Sequence, residues 1–180
     1  MPTPKLSKDQ VAQIADLVAQ YINHQREAYA TRAVPLSKQE HAAMKGFFPQ
    51  TLLASTRLLA LRRERVDDPD FYPMLRKLGF NNLPDQTTMA AITFCDVVVS
   101  HGPFSNPTLF HELVHVEQYR QLGIPGFSEH YVRGFLSGGS YEAIPLEINA
   151  YDLEGEYERN PARHFSASAR VQTFLKKSRL

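Results

Sequence analysis

The chain has 180 residues, of which 43% are hydrophobic and 22% charged, an ordinary balance for one globular domain covering residues 1–180. The net charge of +1 argues against a nucleic-acid or membrane partner, and no apolar run reaches the length of a membrane span. The one cysteine, Cys95, excludes an intramolecular disulfide and a cysteine-based metal cluster. Because the N-terminal segment lacks an apolar signal core, we expect a cytoplasmic protein, and nothing indicates its oligomeric state.

Residues 1–88 read as helices joined by loops. Ser7 and Gln10 form the pattern of a capping box, and apolar residues recur at helical spacing over residues 7–31, which predicts one long amphipathic helix. Ser37 is a good cap for a second, short helix. Three further elements are expected: a helical segment over 49–55, a strand within 56–66, and a short helix over 71–78 interrupted at Pro73.

The strongest strand signal covers residues 89–100. Its centre, from Ile92 to Val99, is rich in β-branched and aromatic residues, which favour strands. Asp96 is polar inside this run, which places one face or one end of the strand against solvent or a polar group. We predict a strand that ends at the turn over residues 101–103.

A helix is predicted over residues 106–123. Asn106 suits the N-cap, Pro107 suits the first helical position, and Gly123 suits the left-handed residue just past the end. Apolar residues occupy most sides of this helix, so we expect it to lie in the core. These residues are Phe110, Leu113, Val114, Val116, Tyr119 and Leu122.

This helix carries a His-Glu-x-x-His motif. His111 and His115 lie one helical turn apart on one face, where two imidazoles can bind a single Zn²⁺ ion. Glu112 is placed beside that face, where it can accept a proton from a water molecule activated by the metal. The alternative is a surface helix with two solvated histidines. The apolar flanks favour the metal site, because unpaired histidines on a buried helix would be unfavourable.

Residues 124–139 are rich in glycine and proline, which predicts a loose segment that covers or borders the metal cleft. We consider Tyr131 and Arg133 in this segment as candidate substrate-binding residues, and Tyr141 just after it as a candidate catalytic donor to an oxyanion. A second helix is predicted over residues 146–158. The C-terminal tail is expected to be either a short helix from about residue 168 or disordered.

Two histidines leave a catalytic zinc site one protein ligand short. The metzincin pattern would need glycine and histidine where this chain has Gln118 and Gln121, so a carboxylate from downstream is the next option. Glu142, Glu147 and Glu154 are the candidates. We favour Glu147, because a helix holds a ligand rigidly and the small residue Ala150 would let that helix approach closely.

The motif His111-Glu112-Leu113-Val114-His115, followed by Pro145-Leu146-Glu147-Ile148-Asn149-Ala150-Tyr151, resembles the core of gluzincin-type metallopeptidases. More narrowly, it looks like small bacterial zincin-like domains without an assigned substrate. The resemblance covers about residues 89–158 and does not extend to residues 1–88 or to the tail, residues 159–180. It implies an α+β fold that is mostly helical, with a small sheet packed on the active-site helix. It also implies one zinc ion on His111, His115 and Glu147, with Glu112 as the general base.

Two functions of different classes follow. The first is a zinc-dependent hydrolase, most specifically a peptidase acting on a peptide or protein, with an extended substrate paired along the Ile92–Val99 strand. The second is a binding module that keeps the metal site without turnover, since a fold does not fix a function. The intact Glu112 favours the enzyme. Side chains expected to orient the histidines from behind are Gln118, Tyr119, and Asn149 or Asp152.

Overall fold

The first two helices begin at the serine caps that the sequence predicts. The computed structural model describes residues 4–178, and in it helix α1 spans Lys8–Ala30 and helix α2 spans Lys38–Met44. The Gln10 backbone N–H donates to Ser7 Oγ at 3.2 Å, and the Ser7 N–H donates to Gln10 Oε1 at 2.8 Å. Ser37 caps α2 by the same reciprocal pair of bonds. Both predicted starts are confirmed, because capping depends only on neighbours in sequence.

Five more helices follow, and most of them match the predicted positions. Pro73 lies in the first turn of its helix instead of interrupting it, since the missing N–H is not needed there. The C-terminal helix begins one residue before the predicted start. Short 3₁₀ turns occur at Gln86–Thr88 and Tyr141–Ala143. The helices are α3 (Gln50–Ser55), α4 (Tyr72–Lys77), α5 (Asn106–Gly138), α6 (Pro145–Arg159) and α7 (Ala167–Lys177).

A four-stranded mixed sheet completes the fold. Its strands are β1 (Val34–Pro35), β2 (Arg57–Ala60), β3 (Ala91–Phe94) and β4 (Val97–Ser100). They lie in the order β1-β2-β4-β3, with β2 parallel to β4 and the other two pairs antiparallel. The predicted fold class, a mostly helical α+β domain with a small sheet, is therefore confirmed.

The prediction of a single strand over residues 89–100 was wrong, because the chain reverses in its middle. Phe94 pairs with Val97 across a two-residue turn, where Cys95 has a φ of 63°. Asp96 leaves the strand path and forms an ion pair with Arg26 of α1, with Arg26 Nη2 2.9 Å from Asp96 Oδ2. Hairpin turns with positive φ usually contain glycine or asparagine. Since this turn contains neither glycine nor asparagine, the apolar sequence had the pattern of one continuous strand.

The segment after Gly123 was predicted as loose and is instead helical up to Gly138. Gly123 itself interrupts α5, with a φ of 69° and a ψ of 168°, at the predicted end of the motif helix. Pro125 then fits the first turn of the continuation. The glycine at 134 provides room for a neighbour, since an added Cβ would lie 2.5 Å from Pro145 Cδ. Glycine at position 134 therefore indicates close helix packing and not a loop. At the start of α5, the N-cap is Ser105 instead of the predicted Asn106.

Helix α5 is the centre of the molecule. Its first half packs among buried side chains of α2, α3, α6 and α7, including Met44, Leu52, Ala150 and Val171. Its second half packs against α1 and the hairpin, around Ile14, Ile22 and Phe94. This arrangement buries the motif helix on nearly all sides. Within residues 4–178, none of the helices combines the length and apolar content that crossing a bilayer requires.

Candidate metal centre

The two histidines of the motif are buried side by side on α5. His111 is 6% exposed and His115 is 5% exposed, and their Nε2 atoms lie 3.1 Å apart. The helix carries them into the interior because Leu109, Leu113 and Val114 around them are fully buried. A surface helix with solvated histidines is therefore excluded.

Glu147, in the first turn of α6, completes the group. Its Oε2 atom lies 3.3 Å from His115 Nε2 and 3.5 Å from His111 Nε2. This carboxylate is 4% exposed, and Oε2 has no hydrogen-bond donor of its own. The fully buried Ala150 allows α6 to lie close against α5, as its small size predicted. Of the three acids considered, Glu147 is the one directed at both histidines.

The spacing of the three atoms fits a metal ion. Tetrahedral coordination with bonds of about 2.0–2.1 Å separates neighbouring ligand atoms by about 3.3–3.4 Å. The observed separations are 3.1, 3.3 and 3.5 Å. The buried carboxylate oxygen without a donor is also a feature that a cation would satisfy. His111, His115 and Glu147 can therefore hold a metal ion.

Hydrogen bonds behind the histidines determine which nitrogen of each ring faces the group. Gln118 donates through Nε2 to the backbone oxygen of Leu146 at 3.0 Å and to Asn149 Oδ1 at 3.1 Å. Its Oε1 is therefore the atom 2.9 Å from His115 Nδ1, and an oxygen there requires that nitrogen to carry the hydrogen. His115 Nε2 is then left with a free lone pair, which is the form that binds metal.

Glu154 does the same for the other histidine. Its Oε2 lies 3.0 Å from His111 Nδ1, and a carboxylate can only accept, so Nδ1 donates and Nε2 is free to coordinate. Glu154 was considered as a third ligand, but it lies at Nδ1 of His111 and outside the triangle formed by His111 Nε2, His115 Nε2 and Glu147 Oε2. Glu142, the remaining candidate, is exposed in the 3₁₀ turn before α6.

The buried group is strongly coupled electrostatically. Burial lowers the pKa of His111, but the adjacent Glu147 and Glu154 carboxylates outweigh it and raise the pKa to about 10. Burial likewise opposes the charged form of His115, whose pKa is nevertheless raised by Glu147. Burial raises the pKa of Glu147, but the two histidines hold it well below its usual range. Without a cation, protons supply the positive charge that the Glu147 carboxylate requires.

Glu112 lies beside the triangle and is also buried, with 5% exposure. Its Oε2 accepts a hydrogen bond of 2.7 Å from the hydroxyl of Thr93, on strand β3. The same hydroxyl lies 3.2 Å from the Glu112 backbone oxygen, so β3 and α5 are joined at this residue. The sequence placed a strand next to the motif helix but did not indicate that Thr93 would hold this carboxylate.

The other predicted site residues separate into two groups. Tyr141 and Tyr131 face the centre, since both line a cavity that also contains Glu147 and His115. Burial, followed by the nearby Glu147 charge, raises the pKa of Tyr141 above its ordinary value. Arg133 does not line this cavity. It is exposed and forms an ion pair with Glu129 one turn earlier, at 2.8 Å.

Of the residues expected to orient the histidines, some lie at the site and others do not. Gln118 contacts His115 as predicted, and Asn149 supports Gln118. Tyr119 instead donates to the Thr93 backbone oxygen at 3.3 Å, and Asp152 is exposed.

Tyr151 was not predicted as part of the site. Its ring lies 4.4 Å from the His111 ring, although the residue is 52% exposed. The available signal was helical spacing, since Tyr151 lies four residues after Glu147 on α6 and therefore on the same face.

Two cavities meet at the metal centre. An outer cleft of about 540 Å³ is lined by His111, Glu112, Tyr151 and the segment around Asp85. An inner cavity of about 100 Å³ begins at His115 and Glu147. Glu112 borders both cavities, so its carboxylate lies where they join.

Comparison with known proteins adds no relative. No family model matches the chain, and neither the curated proteins nor the solved structures give a significant match. The function is therefore inferred from the site itself.

Proposed function

We propose that this protein is a zinc-dependent hydrolase, and specifically a metallopeptidase of the zincin-like kind. The observation that carries the proposal is the buried triangle of His111, His115 and Glu147 with a fourth buried residue, Glu112, beside it. A purely structural metal site needs four closing ligands and no adjacent base. Three ligands with an additional carboxylate and an adjoining cleft are the arrangement that hydrolytic zinc sites use.

Zinc is the metal that best suits these ligands. Two imidazole nitrogens and one carboxylate oxygen form a mixed set, and hard cations such as Mg²⁺ and Ca²⁺ prefer oxygen ligands alone. The separations of 3.1–3.5 Å also correspond to a compact, four-coordinate ion. A bound zinc ion would supply Lewis-acid activation of a water molecule and of the substrate carbonyl.

The chain supplies the proton transfer and the positioning. Glu112 accepts the proton of the attacking water and delivers it to the leaving amine, and the Thr93 hydroxyl holds its carboxylate in place at 2.7 Å. Tyr141 donates its O–H to the developing oxyanion. Its raised pKa keeps that proton in place at neutral pH.

A peptide is the substrate that the free sheet edge favours. Within the described part of the chain β3 pairs only with β4, so its other edge is open. The His101 N–H donates to the Ala90 oxygen at 2.9 Å, and alternation of the ladder then directs the backbone groups of Ala91 and Thr93 away from β4. The Thr93 oxygen accepts from Tyr119, whereas Ala91 borders both cavities. Backbone pairing at Ala91 would align an extended substrate with Glu112.

Metal analysis and a cleavage assay test this proposal together. We expect about one zinc per chain and cleavage of a mixed peptide library that chelator abolishes and zinc restores. Glu112→Gln should retain the metal and lose activity by about 10²–10⁴-fold, because general acid–base catalysis contributes that much. The matched control is Glu129→Gln, an exposed acid on the same helix, which should behave like the wild type. Zinc binding without cleavage by the wild type would identify a binding module instead.

A further inference from the structure

The inner cavity extends from the metal centre into the N-terminal part of the chain. At one end it is bordered by His115, Glu112 and Glu147. At the other end it is bordered by Val18, Tyr21 and Ile22 of α1 and by Phe71 and Tyr72 near the start of α4. The resemblance to zincin-like domains does not include these N-terminal residues. Their contribution is therefore specific to how this chain folds.

The walls of the cavity are aromatic and uncharged away from the metal centre. Phe127 and Tyr119 stack with ring centroids 3.7 Å apart, and the Tyr131 ring lies nearly parallel to that of Phe127 at 5.9 Å. Within the described chain, no lysine, arginine or aspartate lines the cavity. A charged ligand group would therefore find no partner here except at Glu112 and Glu147.

Most polar groups of the walls are already paired with the protein. The Tyr21 hydroxyl donates to the Asp67 backbone oxygen at 2.8 Å, and the Tyr119 hydroxyl donates to the Thr93 oxygen at 3.3 Å. The Gln86 side chain lies 3.5 Å from the Tyr72 hydroxyl. Because these groups are engaged within the protein, an apolar group gains from entering the cavity and a polar one loses its hydration.

The inner cavity opens next to the site where a substrate would lie. It shares Met89, Ala91, Glu112 and Tyr141 with the outer cleft. A peptide paired with Ala91 in the outer cleft can therefore direct one side chain inward past Glu112. Its volume of about 100 Å³ is of the same order as the roughly 150 Å³ of a cavity that takes up benzene, so it suits one side chain.

We infer that the inner cavity is a specificity pocket for one apolar or aromatic side chain next to the scissile bond, with helix α1 as its far wall. This inference rests on the proposed function, because it assumes that the metal centre is where a substrate is held. It adds a role for the N-terminal helix, which determines the depth of the pocket through Val18 and its neighbours.

A binding experiment tests the pocket independently of turnover. The probes are two hydroxamates, which bind zinc directly, identical except that one carries a benzyl side chain and the other a methyl. Calorimetry on the zinc-loaded wild type should give at least about tenfold tighter binding of the benzyl compound, as expected for burial of an aromatic side chain. Val18→Phe adds a ring at the far wall and should abolish this preference. Gln13→Phe adds the same ring at an exposed position of α1 and should preserve it.

Each outcome decides between the pocket and its absence. Equal binding of the two hydroxamates by the wild type would overturn the inference, as would an unchanged preference in correctly folded Val18→Phe. Val18→Ala, which enlarges the pocket, should extend the preference to side chains larger than benzyl, and it provides a test if the phenylalanine variant does not fold. A benzyl preference in a protein that cleaves no peptide would support the pocket and reject the peptidase.

Discussion

Replacing Gln118 with leucine should weaken metal binding although Gln118 is not one of the three candidate ligands. The side chain is fully buried and makes three contacts, with His115 Nδ1 at 2.9 Å, the Leu146 oxygen at 3.0 Å and Asn149 Oδ1 at 3.1 Å. Leucine has a similar size but leaves the imidazole without the acceptor that fixes its tautomer. Loss of such a supporting partner lowers metal affinity by about 10–100-fold, or about 1.4–2.7 kcal/mol.

The same substitution should also lower the stability of the chelator-treated protein. The buried Asn149 Oδ1 would lose its donor and the Leu146 carbonyl would lose its side-chain hydrogen bond, which reduces the free energy of unfolding by about 1–3 kcal/mol. Zinc competition against a chromophoric chelator measures the first effect, and urea denaturation in the presence of a chelator measures the second.

Two further variants separate these effects. Gln118→Glu retains an acceptor for His115 but loses both donated hydrogen bonds, so it should keep zinc affinity and lose stability. Gln121→Leu is the matched control on the same helix. Its side chain also donates two hydrogen bonds, to Glu117 and to the Ser168 oxygen, but it does not contact the histidines. A zinc affinity of Gln118→Leu equal to that of the wild type would refute the tautomer argument.

Three other predictions concern the same centre. Glu147→Ala should lower zinc affinity far more than Glu154→Gln. Only Glu147 is assigned as a ligand, and an amide oxygen at position 154 can still accept a hydrogen bond from His111. Equal losses of affinity in a zinc competition would contradict this assignment. In chelator-treated protein, the pKa of His111 is raised from 6.5 to about 10. The contribution of protonated His111 to the folding free energy is therefore complete below pH 6.5 and should be lost as pH rises toward 10, while zinc affinity increases over the same range. Urea denaturation and zinc titration at several pH values measure the two effects. Tyr141→Phe should retain zinc and lower kcat by about 10²–10³-fold if its hydroxyl is an oxyanion donor, and unchanged kcat would exclude that role.

Different parts of the chain form the candidate metal centre and the far wall of the inner cavity. Residues 106–158 contain the three candidate ligands, the proposed base and the groups that orient the histidines. Residues before the hairpin supply most of the distant wall of the inner cavity. Strand β3 connects the halves, since Thr93 holds Glu112 while its backbone oxygen receives the Tyr119 hydroxyl. Changes in α1 should therefore affect ligand choice with little effect on zinc affinity.

Local features of the fold could be predicted because their causes lie within a few residues. The capping boxes at Ser7 and Ser37 begin helices where expected, since a cap is made by residues three positions apart. The motif helix, its interruption at Gly123 and the pairing of His111 with His115 are also local, because helical spacing alone places two residues on one face.

Tertiary structure was needed wherever two distant segments meet. At the hairpin turn, Asp96 pairs with Arg26, which lies 70 positions earlier in the sequence. No residue close to Cys95 in the sequence indicates that the chain turns there. The glycine at 134 appeared to signal a loop, but it allows Pro145 to approach the helix.

The sequence by itself predicted two metal ligands and a base, and it favoured Glu147 as the third ligand without deciding it. Glu147 and Glu154 lie on the same face of one helix, so spacing cannot assign one to the metal and the other to the back of His111. The packing of α6 on α5 decides this, because it places Glu147 Oε2 3.3 and 3.5 Å from the two Nε2 atoms and Glu154 3.0 Å from Nδ1. Helical periodicity is set by the backbone of one segment, whereas coordination depends on distances between side chains of two.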